Sequence, residues 1–315
     1  MTDVGTTSEG RLLPGVSVLT TTYDRADVLG RAIESVLAQD TPDWELVVVD
    51  NGSNDGTWEL LQRYDDPRIT RLRLEVNRGC TGGRNICLDH IGREWFTFLD
   101  SDDYLLPHAL STLLAVPREV DPRIDAITCN SLDSLTGEFT GLGLDHDQWL
   151  DARTVMTRCS GEFWGITKTS LLRGRRFNEK IQMEGLLWSK LDREACRYYV
   201  HQGLCVYNTE RGDRESVRQD DDALSCYPEF VALFEEEREF LADLAGTAPT
   251  KYSGLLFRAF CIFLAAGDRE RAAAAFNDLR ETGRFRHRMV ARAGLAFGPR
   301  AIDSLRHVRD AVTGR

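Results

Sequence analysis

The chain has 315 residues, of which 42% are hydrophobic, and a formal net charge of −11 at pH 7. A chain of this length and composition can bury a large core, so we expect one large domain or one domain with an appendage. The negative balance, with no basic face in the main body, argues against general nucleic-acid binding.

The sequence also bears on location. Residues 1–10 are polar and lack the apolar core of a signal peptide. The longest apolar tract, residues 255–266, is too short to span a membrane and contains Arg258. The eight cysteines show no CxxC pair or metal-site spacing, a pattern typical of reduced thiols. We therefore expect a cytoplasmic protein without a transmembrane segment.

Apolar runs alternate with helical patterns in the first third of the chain. Strands are predicted at residues 16–23, 44–49, 69–74 and 95–99, and helices at residues 26–39, 57–64 and 86–91. The first helix places Leu29, Ile33, Val36 and Leu37 on one side. Strands that alternate with helices predict an α/β fold with a parallel, doubly wound sheet and right-handed crossovers.

Polar residues follow the first, second and fourth predicted strands, and a glycine-rich loop, residues 77–85, precedes the fourth. Ligands of open α/β sheets bind beyond the carboxyl ends of the strands. We therefore expect these loops to converge on one site, which a nucleotide would fit.

The fourth strand ends in three carboxylates within four positions, Asp100, Asp102 and Asp103. Clustered carboxylates repel one another, so they favour a hard cation such as Mg²⁺ or Mn²⁺, which would in turn hold phosphate oxygens. The alternative is an acidic turn that caps the next helix, because Ser and Asp favour turns and N-caps.

Four motifs, taken in order, resemble family 2 glycosyltransferases. They are residues 16–23, 50–57, 77–85 and 98–103. The resemblance covers about the first two thirds of the chain. It implies the GT-A fold, a Rossmann-like, mostly parallel twisted sheet flanked by helices, and an inverting enzyme that uses a nucleotide-sugar donor.

The resemblance also implies roles for residues at the strand ends. Thr21 and Tyr23 would hold the base and ribose, with Asp24 beside them. Asp50 and Asn51 stand where the family usually has two adjacent acids, one of which accepts from the imide N–H of uracil. The Asn51 carbonyl oxygen can accept the same bond, but its amide can also donate to a base carbonyl. Uridine is favoured, while thymidine and guanosine stay open.

The glycine-rich loop resembles the segment that approaches the donor. Gly82 would allow close backbone approach, and Arg78 or Arg84 would pair with the diphosphate, with Asn85 beside them. The alternative is a tight turn before a helix.

The acidic motif resembles the metal-binding Asp-x-Asp of the family. Asp102 would ligate Mn²⁺ or Mg²⁺ directly, with Asp100 nearer the ribose or a metal-bound water and Ser101 between them. The cation would neutralise charge on the leaving diphosphate. Asp103 would cap the following helix. Asp213 lies where the family often has a metal-proximal His, and would add an oxygen ligand unless its segment is a flexible charged loop.

Two later segments resemble the sugar and acceptor sides of the family's site. Trp164 would pack on the sugar, unless it is a core tryptophan. Aligned through Trp188 and Leu191, Glu184 takes the position of the catalytic Asp and serves as general base, and Met183 replaces the preceding Glu. In the alternative alignment, Glu184 matches the first acid of the motif and Gly185 takes the position of the catalytic Asp, so no base would be present. Glu184 would otherwise be an exposed acid in a first helical turn.

The last third of the chain changes in pattern. Residues 198–200 and 205–207 predict a hairpin around Gly203, and helices are expected at 228–244, 252–266 and 269–282, before a basic end. We predict a disordered tail (1–13), a GT-A domain (14–226) and a helical extension (227–315). The extension would serve packing, homo-oligomer formation or acceptor docking, or contact an anionic membrane or acidic carrier.

The sequence thus predicts a metal-dependent inverting glycosyltransferase. It would move one sugar, most simply from a UDP-sugar, to a small-molecule, glycan or carrier-bound acceptor, since the Gln-x-x-Arg-Trp motif of processive synthases is absent. A nucleotide-sugar-forming nucleotidyltransferase is one alternative, although no lysine-containing glycine loop follows the first strand. A catalytically inactive sugar-nucleotide binding protein is another, because of Met183 and Gly185.

Overall fold

The computed structural model describes residues 12–210 and 226–282, together with residues 291, 292 and 296. The chain divides into two compact units, residues 1–210 and residues 211–315. We call them the first unit and the second unit.

The first unit begins with parallel strands and crossover helices. The strands are β1 (Leu13–Thr22), β2 (Trp44–Asp50), β3 (Ile69–Arg73) and β4 (Arg93–Phe98), and the helices are α1 (Leu29–Leu37), α2 (Thr57–Leu61) and α3 (Gly79–Leu88). The four strands lie in the order β3-β2-β1-β4, and all their pairings are parallel. This half of the sheet agrees with the sequence prediction.

The rest of the first unit widens the sheet beyond β4. Its elements are β5 (Tyr104–Leu105), α4 (Ala109–Glu119), β6 (Ala126–Asp133), β7 (Gln148–Leu150), α5 (Ala152–Arg158), β8 (Phe163–Lys168), α6 (Gly185–Asp192) and β9 (Arg197–Tyr207). The sheet continues β4-β8-β6-β9-β5, with β7 also on β9. Strand β8 is antiparallel to both of its neighbours, whereas β6 and β9 are parallel. The α/β fold with a parallel central sheet flanked by helices is confirmed.

Both faces of the central sheet are covered, which explains its uninterrupted apolar strands. Val16 and Val18 of β1 pack with residues of α1 and α4 in one cluster. Leu19 of β1 and Val49 of β2 pack on the other face with residues of α3 and α6. Because alternate residues of a strand point to opposite faces, a strand buried on both sides reads as a continuous hydrophobic run.

The predicted hairpin around Gly203 is wrong, because residues 197–207 form one strand, β9. Eight residues of β6 (Ala126–Asp133) run beside all eleven residues of β9, and the register shifts on either side of Asn130. The surplus residues are accommodated as a β-bulge. A Cβ on Gly203 would lie 2.5 Å from Leu132 Cδ2, so a glycine fits where the two strands press together.

The predicted loop at residues 77–85 is also largely wrong, because α3 begins at Gly79. Gly82 and Gly83 therefore lie inside a helix. A Cβ on Gly83 would lie 3.0 Å from Thr21 Cγ2, and one on Gly82 would lie 2.7 Å from Arg78 Cβ. Gly83 allows α3 to pack closely at the end of β1, and Gly82 leaves room for the side chain of Arg78.

The second unit is helical over its described residues. Its helices are α7 (Tyr227–Glu236), α8 (Arg238–Thr247), α9 (Pro249–Ala265) and α10 (Arg269–Thr282). Phe230, Leu256, Phe260 and Phe263 lie in a core of its own. The predicted helix 228–244 is divided at Glu237, which leaves helical geometry.

No helix among the described residues is long and apolar enough to cross a membrane. Most of the basic C-terminal segment lies outside the described residues.

Candidate active site

The acidic motif follows β4 directly, as the sequence predicts. The Asp100 side chain is 54% exposed, and its Oδ1 accepts from Arg84 Nη2 at 2.8 Å. Ser101 is buried. The backbone carbonyl of Asp102 accepts from Arg31 Nη2 at 2.8 Å.

Asp103 has a different role from the one expected. It is buried and accepts from the backbone N–H of Asn208 at 2.9 Å, whereas the next helix starts only at Ala109. The prediction that Asp103 caps that helix is wrong. Burial, with the carboxylate of Asp100 nearby, raises the pKa of Asp103 to about 8. Asp103 therefore holds its proton at neutral pH far more readily than an exposed aspartate does.

Glu184 lies immediately before α6, and two side chains of α3 hold its carboxylate. Arg84 Nη1 lies 2.6 Å from Oε2, and the Cys80 thiol donates to Oε1 at 3.0 Å. Cys80 and Arg84 are four residues apart, so they lie on the same face of the helix. The Glu184 side chain is 29% exposed. The sequence did not indicate a role for Cys80, because residues 77–85 were predicted to form a loop. In a loop, residues four positions apart are not expected to share a face.

Arg84 joins the expected base to the acidic motif. It contacts Glu184 through Nη1 and Asp100 through Nη2, and its Cζ lies 4.6 Å from the centre of the Phe98 ring. Burial by itself would lower the pKa of Arg84, but the carboxylates of Glu184 and Asp100 raise it overall. Arg84 therefore stays charged and fixes the two acids relative to each other.

Residues 177–184, which we call the base segment, are held against α3 by further hydrogen bonds. Asn85 donates to the Phe177 carbonyl at 3.0 Å and accepts from the Phe177 N–H at 2.9 Å. Arg78 contacts Glu179 at 2.7 Å, and Gln182 Oε1 accepts from the Thr81 N–H at 3.1 Å. The structure thus gives Arg78 and Asn85 a scaffolding role. Their predicted contacts with the donor stay predictions.

The residues expected to bind the nucleoside lie at the ends of β1 and β2. Tyr23 is 41% exposed and offers a ring face. Asp24 accepts from the Asn54 N–H at 2.8 Å and shapes the loop after β2. Asp50 is fully buried, and its Oδ1 accepts from the Ser53 N–H at 2.9 Å.

Asn51 is also largely committed within the protein. Its amide donates to Asn77 Oδ1 and to the Gly79 carbonyl at 3.0 and 2.9 Å, and its oxygen accepts from the Arg78 N–H at 3.0 Å. These bonds fix the start of α3. The predicted contact of Asn51 with a base therefore remains a prediction, and so does that of Thr21, which packs beside Gly83.

A cavity of about 530 Å³ brings the chemical groups together. Its wall includes Arg84, Asp100, Trp164 and Glu184. Trp164 is also part of the core and donates through Nε1 to the Phe98 carbonyl at 3.0 Å. Trp164 is therefore a core residue that also lines the cavity, and its predicted contact with a sugar stays a prediction.

The side chains at the end of β4 would supply only some of the ligands that a hard divalent cation needs. Asp100 and Asp102 provide carboxylate oxygens, the ligands that Mg²⁺ and Mn²⁺ prefer. Within the described ranges, no group of three or more His, Cys, Asp or Glu side chains is arranged to hold a metal. The expected third ligand, Asp213, and its neighbours Arg211 and Arg214 lie outside those ranges. Such a cation would complete its coordination with phosphate oxygens and water.

The chain is similar to known proteins of one family. A family model described as Glycosyl transferase family 2 matches residues 17–132. The chain is 34% identical over 227 residues to a GalNAc(5)-diNAcBac-PP-undecaprenol beta-1,3-glucosyltransferase of Campylobacter jejuni subsp. jejuni serotype O:2 (strain ATCC 700819 / NCTC 11168), covering 70% of this chain and 73% of that protein. The chain belongs to glycosyl transferase family 2. It is therefore a glycosyltransferase, and the predicted enzyme class is confirmed.

Two further proteins are similar to this chain. An Escherichia coli relative named UDP-Glc:alpha-D-GlcNAc-diphosphoundecaprenol beta-1,3-glucosyltransferase WfaP is 31% identical over 96 residues, 30% of this chain and 38% of that protein. The structure of S. aureus TarS 1-349 in complex with UDP-GlcNAc superimposes with a TM-score of 0.65 at 18% identity, over 93% of this chain and 92% of that one. This last similarity concerns the fold, and it agrees with the GT-A architecture expected of family 2.

Proposed function

We propose that the chain transfers one sugar from a UDP-linked donor to a hydroxyl of a carrier-bound glycan, with inversion and with help from Mn²⁺ or Mg²⁺. One observation carries the proposal. Arg84 holds Glu184 and Asp100 together at the wall of a single cavity. The proposed base thus lies beside the acidic motif that would face the donor diphosphate.

The choice of donor is supported by the relatives and by the strand ends. The name of the Escherichia coli relative includes UDP-Glc, and the TarS structure contains UDP-GlcNAc. In this chain the half-exposed ring of Tyr23 lies at the end of β1, where a nucleoside could stack. A cytoplasmic location would give the enzyme access to such donors.

The proposed reaction is a single displacement. The acceptor oxygen bonds to the anomeric carbon as the bond from that carbon to the diphosphate oxygen breaks, and Glu184 takes the proton of the acceptor hydroxyl. Arg84 and Cys80 orient the Glu184 carboxylate. Asp102 and Asp100 would hold the divalent cation, which would supply charge neutralisation at the leaving diphosphate.

Inversion and the carrier-bound acceptor are supported by the relatives' names. Both the Campylobacter and the Escherichia coli proteins are named beta-1,3-glucosyltransferases that act on undecaprenol-linked diphosphate acceptors. Glucose is α-linked in UDP-glucose, so a β-linked product requires inversion at the anomeric carbon. A single displacement needs one base, and Glu184 is proposed for that role.

The test is a matrix of donors and acceptors with the purified full chain and Mn²⁺. The donors are UDP-glucose, UDP-GlcNAc, GDP-mannose and dTDP-glucose, and the acceptors are GlcNAc and GalNAc linked through diphosphate to a short polyprenol, the free sugars, and water. We expect UDP release with one UDP-sugar, strongly increased by one lipid-linked acceptor, and a β-linked product by NMR. An α-linked product, or full activity in excess chelator, would contradict the proposed mechanism.

A further inference from the structure

Cys80 contacts Glu184 from outside the cavity. Its sulfur lies 3.0 Å from Glu184 Oε1, whereas Arg84 occupies Oε2. Glu184 and Arg84 contribute to the wall of the cavity, and Cys80 does not. A substrate in the cavity would therefore meet the carboxylate and not the thiol.

The thiol is in the correct chemical state to donate. Burial raises the pKa of Cys80, and the carboxylate of Glu184 adds to this effect against the opposing influence of Arg84. A thiolate would repel the carboxylate, whereas the protonated thiol donates a weak hydrogen bond to it. For the same reason Cys80 is not a nucleophile in this environment.

The two contacts together define the direction of the carboxylate. The ion pair with Arg84 constrains one oxygen of the Glu184 carboxylate. A second donor, four residues earlier on the same helix, constrains the other oxygen and so restricts rotation about the last side-chain bond. Catalytic groups lose rate steeply when their geometry is off by as little as about 1 Å.

We propose that Cys80 is a positioning residue of the transfer reaction, which orients Glu184 by donating to Oε1 while Arg84 holds Oε2. This inference rests on the proposed role of Glu184 as general base. It predicts that removal of the thiol lowers turnover through Glu184, with little effect on donor binding.

The experiment compares Cys80→Ala, Cys80→Ser, Glu184→Gln and the Cys80→Ala/Glu184→Gln double variant. UDP release is measured with the UDP-sugar and acceptor that give the highest rate in the matrix above, water included. We expect Cys80→Ala to lower kcat about tenfold with KM for the donor changed less than twofold. Cys80→Ser, which keeps a donor, should recover most of that loss, and in the Glu184→Gln background the change at Cys80 should have almost no further effect.

A matched control separates positioning from stability. Cys87 lies on the same helix, is fully buried and directs its thiol to the Thr20 carbonyl at 3.6 Å. Cys87→Ala should lower the melting temperature while kcat stays within twofold of wild type. If Cys80→Ala behaves in the same way, Cys80 is only a packing residue.

The remaining outcomes are also decisive. An equal fold-loss from Cys80→Ala in the wild-type and Glu184→Gln backgrounds would overturn the inference, because Cys80 would then act independently of Glu184. If Glu184→Gln lowers kcat and Cys80→Ala does not, the inference fails and the proposed function stands. Near wild-type turnover of the Glu184→Gln variant would show that Glu184 is not the general base. The proposed role of Cys80 would then fail as well.

Discussion

Arg84 Nη1 lies 2.6 Å from Glu184 Oε2, so the residue expected to take the acceptor's proton is held by a buried cation of α3. The same guanidinium contacts Asp100 in the acidic motif. The two carboxylates therefore share one fixed partner. A change at either acid should be felt at the other.

Replacement of the base tests the chemistry. Glu184→Gln keeps the size of the side chain but removes its ability to take a proton. We expect kcat to fall by about two to four orders of magnitude, the range for loss of a general base. UDP-sugar binding, measured by titration calorimetry, should change little. Glu59→Gln on α2, an exposed acid, is the control and should leave kcat unaltered.

Replacement of Arg84 tests the energetics of the buried cation. The Arg84 side chain is only 9% exposed. Arg84→Met should lower the free energy of unfolding by roughly 2–4 kcal/mol, because two carboxylates lose the buried cation that they share. Arg176 makes a comparable 2.8 Å contact with Asp89 on the surface, and Arg176→Met should change stability by less than about 1 kcal/mol. Denaturant unfolding measures both, and equal effects would show that burial of Arg84 is unimportant.

Replacement of Asp102 tests the metal. In the Asp102→Ala variant, UDP should bind no more tightly with Mn²⁺ than with chelator, whereas Mn²⁺ should strengthen binding to the wild type. Asp65→Ala, at an exposed position before β3, should retain the full Mn²⁺ effect. Calorimetric titration with UDP measures both. Mn²⁺-dependent binding of normal strength in Asp102→Ala would remove Asp102 from the metal site.

Replacement of Asn85 tests the attachment of the base segment. Asn85 makes hydrogen bonds to both backbone groups of Phe177 and to Glu179 Oε1 at 3.1 Å. Asn85→Ala should lower stability by about 2–3 kcal/mol, since buried backbone groups lose their partners. Trypsin should also cleave faster after the exposed Lys180. Asn54→Ala, at an exposed position after β2, should leave that cleavage rate unchanged.

The second unit allows a test of pH dependence. Asp268 accepts from the Arg271 N–H at 3.0 Å, from Arg271 Nη1 at 2.7 Å and from the Tyr227 hydroxyl at 2.8 Å. The bonds from Arg271, followed by that from Tyr227, lower the pKa of Asp268 to about 2. Because the folded pKa lies below the unfolded value, the stabilisation is complete above about pH 4 and is lost as the pH falls through 2.

We therefore expect Asp268→Ala to lower stability by about 1 kcal/mol at pH 7, the typical effect of removing a helix cap. The difference from wild type should shrink as the pH approaches 2. Unfolding followed by circular dichroism at pH 7, 4 and 2.5 measures this. A difference that stays constant with pH would show that the charge of Asp268 is not involved.

The sequence was informative where local pattern and tertiary role agree. The four parallel strands are apolar because both of their faces are buried, and Asp100 and Asp102 follow β4 as expected. The sequence was misleading at glycines, because a glycine is typical both of a loop or turn and of a close contact within a helix or strand. Gly82 and Gly83 suggested a loop, but both lie within α3, where Gly83 packs closely against Thr21 of β1 and Gly82 makes room for Arg78. Gly203 suggested a turn, but it lies within β9 at the bulge in its pairing with β6.

Contacts between residues that are far apart in the sequence could not be predicted from the sequence. Nothing in the sequence near Cys80 indicates Glu184, which lies 104 positions away. Likewise, an asparagine in place of a second acid suggested recognition of a base, whereas the Asn51 amide bonds to the start of α3. Such assignments depend on how the elements pack, which hydrophobic pattern alone does not specify.

The two ends of strand β9 limit where insertions and deletions can occur within it. At one end Arg197 pairs with Asp192 at the end of α6, and just past the other end the Asn208 N–H binds Asp103. Eleven extended residues, roughly 35 Å of chain, connect these two ends. A one-residue insertion or deletion within β9 would shift its register against β6 and turn the following side chains to the opposite face of the sheet. The bulge near Gly203 is the place where the pairing of these strands already contains such a shift, so changes in the length of β9 during evolution are best tolerated there.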